Sequence, residues 1–153
     1  MKSQFKTIAV DRVELIRCMN ACNGVKYHLG SKPAFNETPM VDFKTSDCSG
    51  YVRWLLYQTT GGEVELPAGS WYQEEWARDL PLKATGFTNC GLRDNRIRLC
   101  FLQANAGEER HVWLCVNGQT IECCGGRGVC RRPWNTLQQR GAIHTYVLTD
   151  PMP

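Results

Sequence analysis

The residue of this chain best placed for chemistry is a cysteine at the predicted start of a helix. Cys48 follows Ser46 and Asp47, both good N-cap residues, and precedes apolar residues at helical spacing, among them Val52 and Leu55. Partial positive charge and free N–H groups at a helix N-terminus stabilise a thiolate and can bind a developing oxyanion. The position therefore indicates a nucleophilic thiol, with a buried structural cysteine as the alternative.

A predicted β-hairpin supplies the partners that such a thiol needs. Asn117-Gly118, the strongest short hairpin signal, separates strands predicted at Val112–Val116 and Gln119–Cys123. A two-residue turn fixes the register, and side chains alternate between the two faces of a strand. One face then carries His111, Trp113, Cys115, Thr120, Glu122 and Cys124. The other face, which is the core side, carries Val112, Leu114, Val116 and Ile121.

His111 and Glu122 are diagonal neighbours on the first face, with backbones roughly 7–8 Å apart, a gap that long side chains can close. Cys48, His111 and Glu122 thus have the elements of a nucleophile, a general base and a carboxylate that orients the base. The two other histidines, His28 and His144, have no equally placed acid. The pattern predicts attack of Cys48 on an acyl carbon, with His111 taking and returning the proton.

Length and composition indicate one globular domain over residues 1–153, with 42% hydrophobic residues. The net charge of +3 comes from scattered Lys and Arg, which argues against a nucleic-acid partner. The small cluster Arg127, Arg131 and Arg132 is typical of a solvated edge. No segment has the character of a signal peptide or a membrane span, so we expect a soluble protein. It would be cytoplasmic, or carried to a cell wall or periplasm by other machinery.

The nine cysteines are an odd number, so at least one thiol is free or bonded to another molecule. Cys18 and Cys22 are four residues apart and Cys123 adjoins Cys124, which does not form the paired motifs of a zinc ribbon. We expect no metal site. Most cysteines are predicted to be small core residues in a reducing compartment, with one disulfide possible on export.

Helix signals fill the first half of the chain and strand signals the second, an order typical of an α+β domain. The predicted helices are Arg12–Asn23, Cys48–Thr59 and Ser70–Arg78. Capping boxes at Asp11 to Glu14 and at Ser70 to Gln73 open the first and the third helix, and Gly61-Gly62 ends the second. Long loops are predicted before the second helix and at Lys83–Asn95. Two further strands are predicted at Ile97–Gln103 and Ala142–Thr149.

Several segments, in this order and with similar gaps, carry a resemblance to a known family. They are Gly24-Val25-Lys26-Tyr27 with Gly30, Asp47-Cys48-Ser49-Gly50-Tyr51-Val52, Leu66-Pro67, and His111-Val112 opening a hairpin that ends in Thr120-Ile121-Glu122. With these segments the chain resembles the NlpC-type papain-like cell-wall peptidases. The resemblance implies a papain-like fold in which the helix carrying Cys48 packs on an antiparallel sheet. It also implies hydrolysis of peptidoglycan stem peptides, typically between D-glutamate and the diamino acid, through a thioester and without a metal or cofactor.

The resemblance also implies roles for residues around the thiol. Tyr27 is expected near Cys48 as a hydroxyl donor. Asp47 and Ser49, which flank the thiol, are expected to line the site for substrate and oxyanion, together with Trp113.

Two positions depart from the family's pattern. A small residue is usual where Trp113 stands, so Trp113 either lines and narrows the cleft or covers the helix. The third residue of the family is commonly His, Asn or Gln and lies one position further along than Glu122. Cys123 and Cys124 therefore compete with Glu122 by position; the hairpin register points Cys123 to the core, so Cys124 stays a candidate for the third residue.

The sequence leaves three functions open. The first is a bacterial or phage cell-wall endopeptidase, acting as a monomer and delivered by a phage particle or a secretion machine; the sequence names no immunity or inhibitor partner for it. The second keeps the Cys-His-Glu chemistry for a non-wall γ-glutamyl or isopeptide substrate, as an amidase or acyltransferase, and is favoured by Trp113 and the missing export signal. The third is a non-catalytic binding module in which Cys48 is merely buried.

Overall fold

Helices precede the main β-sheet along the chain. The structure is a computed structural model that describes residues 4–85, 90–103, 110–134 and 142–149. Its helices are α1 (Arg12–Ala21), α2 (Cys48–Thr59) and α3 (Ser70–Asp79). Its strands are β1 (Lys26–Tyr27), β2 (Thr45–Ser46), β3 (Lys83–Thr85), β4 (Ile97–Gln103), β5 (His111–Val116), β6 (Gln119–Cys124), β7 (Gly128–Cys130) and β8 (Ala142–Thr149). No helix within these ranges is long and apolar enough to cross a membrane. The predicted α+β class is confirmed.

The main sheet is antiparallel and has the strand order β3-β8-β4-β5-β6-β7. Its β5–β6 hairpin has the predicted register, which pairs Val116 with Gln119, Cys115 with Thr120 and Leu114 with Ile121. Asn117 and Gly118 in the turn have φ of 51° and 77°, as a type I′ turn requires. β5 begins at His111 and β6 ends at Cys124, each one residue beyond the predicted strand.

Helix α2 lies against the core face of β5 and β6 and is buried on most sides. Its apolar residues share the main core cluster with those of the hairpin, Val112, Leu114 and Ile121. A helix that is buried nearly all round is typical of the centre of a domain. The core therefore fixes the helix that carries the thiol relative to the hairpin that carries its expected partners.

The start of α3 differs from its predicted capping box. Gly69, at φ 95°, occupies the N-cap position of α3, and no side chain caps the helix. Gln73 instead turns inwards, and its Nε2 donates to the carbonyl oxygens of Ser49 and Pro67, each at 3.0 Å. Since Gln73 is fully buried, these two bonds tie α3 to the first turn of α2. The capping box predicted from Ser70 to Gln73 is wrong.

Short strands occur in segments predicted as loops. β1 and β2 pair in parallel within the long loop before α2, and β3 occupies the first residues of the loop predicted at Lys83–Asn95. β7 pairs with β6 after a turn. Strands of two or three residues carry too little alternation for periodicity to reveal them. The predicted helices are right within two residues at each end.

The hairpin face opposite α2 is also buried. A second core cluster covers it and consists of Cys90, Cys100, Leu102, Trp113, Cys115 and Trp134. Trp113 is fully buried, and its ring stacks on those of His111 and Trp134 with centroids 5.4 and 5.8 Å apart. Trp113 therefore lines no cleft and does not cover α2, and both predictions for it are wrong. The sequence pattern shows which residues share a face but not which segment covers that face.

The nine cysteines are all free thiols, and eight of them are buried. Cys130 is half-buried. Two pairs lie close together: the Sγ atoms of Cys90 and Cys100 are 3.3 Å apart, and those of Cys124 and Cys130 are 3.6 Å apart. The burial agrees with the predicted role of most cysteines as small core residues.

Candidate active site

The N-terminus of α2 is shaped to present Cys48. Asp47 is the N-cap, and its Oδ1 accepts hydrogen bonds from the Gly50 N–H at 2.7 Å and from the Ser49 hydroxyl at 3.2 Å. A Cβ atom on Gly50 would lie 3.0 Å from the backbone of the preceding loop, so glycine lets that loop pack closely on the helix. Cys48 occupies the first helical position, where the helix dipole and the N–H groups of the first turn favour negative charge.

His111, the first residue of β5, faces both Cys48 and Glu122. Its Nε2 lies 2.8 Å from Oε1 of Glu122, and Cys48 is near enough to the ring to raise the pKa of His111. Because Glu122 occupies Nε2, Nδ1 is the nitrogen left for the thiol. The structure thus brings together the three residues that the sequence grouped, with Glu122 behind the ring. Cys124, the other candidate for that place, has its Sγ 3.6 Å from Cys130 Sγ instead.

The charge on Glu122 and the proton on His111 stabilise each other. Burial opposes protonation of His111, but the neighbouring Cys48 and the hydrogen bond with Glu122 raise its pKa to about 9. Burial likewise opposes ionisation of Glu122, but hydrogen bonds from His111 and its other neighbours lower its pKa to about 2. An imidazolium beside a carboxylate is therefore the stable arrangement at neutral pH.

Four hydrogen bonds occupy the two oxygens of the fully buried Glu122. Oε1 accepts from His111 Nε2 and, at 2.9 Å, from Arg132 Nη2. Oε2 accepts from Arg132 Nε at 3.1 Å and from the Thr120 hydroxyl. The prediction that Arg132 belongs to a solvated edge is therefore wrong. Its contact depends on how the segment after β7 lies along β6, which no local sequence pattern shows.

A pocket of about 270 Å³ opens beside the thiol. Its walls include Tyr27, Asp47 and Ser49, together with Lys32 and Arg110. Lys32 Nζ pairs with the Asp47 carboxylate and lies 3.0 Å from Ser49 Oγ. Arg110 extends from the residue before His111 to Glu74, with 3.4 Å between Nη2 and Oε1. Sequence reasoning missed both cations, since a single Lys or Arg in a loop carries no motif.

A second histidine also has a carboxylate partner. His144 Nδ1 lies 2.8 Å from Oε2 of Glu74, and the Tyr146 hydroxyl donates to the same oxygen at 2.8 Å. The prediction that His144 has no equally placed acid is therefore wrong. Glu74 comes from α3 and His144 from β8, and their sequence separation hides the contact. The pair joins α3 to the sheet.

The arrangement around Cys48 is suited to acyl transfer. A thiol can pass its proton to an adjacent imidazole, and a thiolate at a helix N-terminus is a nucleophile for acyl carbons. Among the residues that the structure describes, no group of three or more His, Cys, Asp or Glu side chains could hold a metal ion.

Comparison with known proteins bears on the fold. No family model matches the sequence, and no curated protein matches it. A similar solved structure is the crystal structure of the P60 domain of an antigen from M. avium subspecies paratuberculosis. The two chains are 21% identical, the match covers 92% of this chain and 94% of the other, and the TM-score is 0.53. The chain therefore has the papain-like α+β fold of that P60 domain.

Proposed function

We propose that the chain is a cysteine peptidase that hydrolyses amide bonds in peptidoglycan stem peptides. The observation that carries the proposal is the ring of His111, shared between Cys48 at the start of α2 and the carboxylate of Glu122. The papain-like fold and the resemblance to NlpC-type peptidases support it. From that resemblance we take the bond between D-glutamate and the diamino acid as the site of cleavage.

The charge of the pocket fits such a substrate. Lys32 and Arg110 flank the thiol, and their side chains are 30% and 28% exposed. A buried carboxylate behind each cation, Asp47 or Glu74, holds it in place. Stem peptides carry carboxylates on D-glutamate and on the diamino acid, and cationic side chains bind such groups by charge-assisted hydrogen bonds.

In the acylation step, His111 already carries the proton as an imidazolium, and the Cys48 thiolate attacks the carbonyl carbon of the scissile amide. The N–H groups of Cys48 and Ser49 bind the oxyanion, since the next N–H of the helix is held by the N-cap. The C–N bond breaks as His111 gives its proton to the leaving amine. A thioester then joins the acyl group to Cys48.

In the second step, water resolves the thioester. His111 takes a proton from the water molecule, whose oxygen attacks the thioester carbon. The C–S bond breaks, which restores the Cys48 thiolate beside the His111 imidazolium, and the product acid gives its proton to solvent and leaves as a carboxylate. Glu122 orients the ring in both steps through Nε2.

Digestion of purified peptidoglycan tests the proposal. Mass spectrometry should show new stem-peptide termini with the wild-type protein and intact muropeptides with Cys48→Ala. Cys130→Ala is the matched control, because it removes a half-buried thiol that does not line the pocket and should leave cleavage unchanged. Intact muropeptides from folded wild-type protein would contradict the proposal. Cleavage of a non-wall γ-glutamyl or isopeptide substrate in that case would support the amidase alternative instead.

A further inference from the structure

We propose that Arg132 is a positioning residue, which holds Glu122 in the orientation that His111 needs and offsets part of its negative charge. The inference rests on the proposed catalytic roles of Cys48, His111 and Glu122. Arg132 bonds Glu122 but does not line the pocket, so it acts through that carboxylate rather than on the substrate.

The guanidinium of Arg132 donates two hydrogen bonds to the carboxylate of Glu122. Nε lies 3.1 Å from Oε2 of Glu122, and Nη2 lies 2.9 Å from Oε1. A bidentate pair of this kind fixes the plane of the carboxylate as well as attracting it. The side chains are only 14% and 0% exposed, so water and salt weaken the pair little. His111 and Thr120 donate to the same two oxygens, which leaves the carboxylate no freedom to rotate.

The backbone of Arg132 is held by the strand that carries Glu122. Its N–H donates to the Thr120 hydroxyl oxygen at 2.9 Å, and its carbonyl accepts the Thr120 N–H at 2.8 Å. Two residues later, the Trp134 N–H donates to the Gly118 carbonyl at 3.0 Å. The segment after β7 is thereby laid along β6. Thr120 connects Arg132 to Glu122, since it hydrogen-bonds both to the backbone of Arg132 and to the carboxylate of Glu122.

The order of charges explains what Arg132 does for the reaction. Glu122 alone would hold the imidazolium of His111 with a full negative charge in a buried site. The positive charge of Arg132 on the same carboxylate cancels part of that field. A catalytic base must release its proton as well as take it, so too high a proton affinity slows transfer to the leaving amine. Arg132 therefore keeps Glu122 ionised while it weakens the hold of Glu122 on the His111 proton.

Three variants test this role by the titration of His111 in NMR. Arg132→Gln removes the charge, and the pKa of His111 should rise by about one unit because the field of Glu122 is no longer offset. Arg132→Lys keeps the positive charge but cannot form both hydrogen bonds of the guanidinium. The pKa of His111 should therefore stay near its wild-type value in this variant. Arg131→Gln is the matched control, since Arg131 is the exposed neighbour along the chain, and should leave the titration unchanged. On the stem peptide, kcat should fall about 10-fold or more in Arg132→Gln, with a smaller change in KM.

The NMR titration of His111 needs no substrate, so its result does not depend on the proposed function. A shifted His111 titration in Arg132→Gln without wall cleavage by the wild type would leave the positioning role standing and overturn the proposed function. Wall cleavage by the wild type with an unmoved or lowered His111 pKa in Arg132→Gln would overturn the positioning role alone. If Arg132→Gln does not fold, the kcat of Arg132→Lys tests the role instead. A wild-type kcat in Arg132→Lys would overturn it, because the two hydrogen bonds from the guanidinium to Glu122 would then be dispensable.

Discussion

A carboxylate stands behind His111, where the family that this chain resembles commonly has a neutral side chain. A neutral His, Asn or Gln can orient an imidazole by hydrogen bonding. Glu122 does so and also adds a negative charge in a buried place, which helps to raise the pKa of His111 to about 9. A buried charge needs partners of its own, and Thr120 and Arg132 supply them. The third residue therefore comes with two supporting residues that a neutral one would not require.

Glu122→Gln should lower kcat/KM on the stem peptide by about 10-fold or more, because the amide can orient the ring but leaves the buried Arg132 without a negative partner. The amide cannot stabilise the imidazolium by charge, so the pKa of His111 should also fall. Cys124→Ala is the control, because Cys124 is the other sequence candidate for the third residue. Kinetics on both variants and NMR titration of His111 measure the effects. Loss of activity in Cys124→Ala with activity kept in Glu122→Gln would reverse the assignment.

The grouping of Cys48, His111 and Glu122 could be predicted because its signals are local. An N-cap marks the start of α2, and an Asn-Gly turn sets the register of the hairpin. The contact of Arg132 could not be predicted, since it arises from pairing between β6 and a segment after β7. The sequence predicts that Trp113 lines the cleft or covers the helix, because alternation defines a face but says nothing of the second core cluster that covers it.

Among the elements, β7 connects the hairpin to the wall of the pocket. Gly128 in β7 has φ of 70°, and a Cβ atom there would lie 2.4 Å from the Val25 carbonyl oxygen. The next residue, Val129, donates its N–H to that same oxygen at 3.0 Å. Val25 leads directly into β1, which carries Tyr27. A glycine therefore lets β7 and β1 come into contact and sets Tyr27 against the hairpin.

Gly128→Ala should lower the free energy of unfolding by about 2–3 kcal/mol or more, because the added methyl group overlaps a backbone oxygen and the φ is positive. Gly125→Ala is the matched control in the same turn region, where a Cβ atom meets nothing within 4 Å. Urea denaturation of the two variants measures the difference. Equal stability of Gly128→Ala and Gly125→Ala would show that the close approach of β7 to β1 is not needed.

Long elements could be predicted and short ones could not. The helix α2 and the strands β4, β5, β6 and β8 carry enough periodic residues to set their bounds within a residue. β1, β2, β3 and β7 have two or three residues each and form only because neighbouring strands offer free edges. The inward turn of Gln73 is of the same kind, since its partners in α2 and the preceding loop are distant in sequence.

In the whole molecule, the charged row of His111, Glu122 and Arg132 is almost enclosed by protein. The main core cluster lies on one side of the hairpin and the second core cluster on the other. Folding therefore moves these groups out of water, and the free energy of unfolding becomes linked to their protons. The linkage has opposite signs for the acid and for the base.

Stability should be greatest between about pH 4.5 and 6.5 as far as these two groups decide it. The folded pKa of Glu122, about 2, is below its unfolded value, so its contribution is complete above pH about 4.5 and is lost as the pH falls toward 2. The folded pKa of His111, about 9, is above its unfolded value, so its contribution is complete below pH about 6.5 and is lost as the pH rises through 9. Urea denaturation across this pH range measures both limbs. A wild-type acid limb no steeper than that of Glu122→Gln would contradict the linkage.

The stack of Trp113 on His111, with centroids 5.4 Å apart, has an optical consequence. A protonated imidazole in contact with an indole ring quenches the fluorescence of the indole far more strongly than a neutral imidazole does. Trp113 is fully shielded from solvent, so its emission responds to the ring beside it rather than to the buffer. The fluorescence of Trp113 should therefore increase as the pH rises and His111 loses its proton, so this fluorescence follows the charge state of the candidate active site.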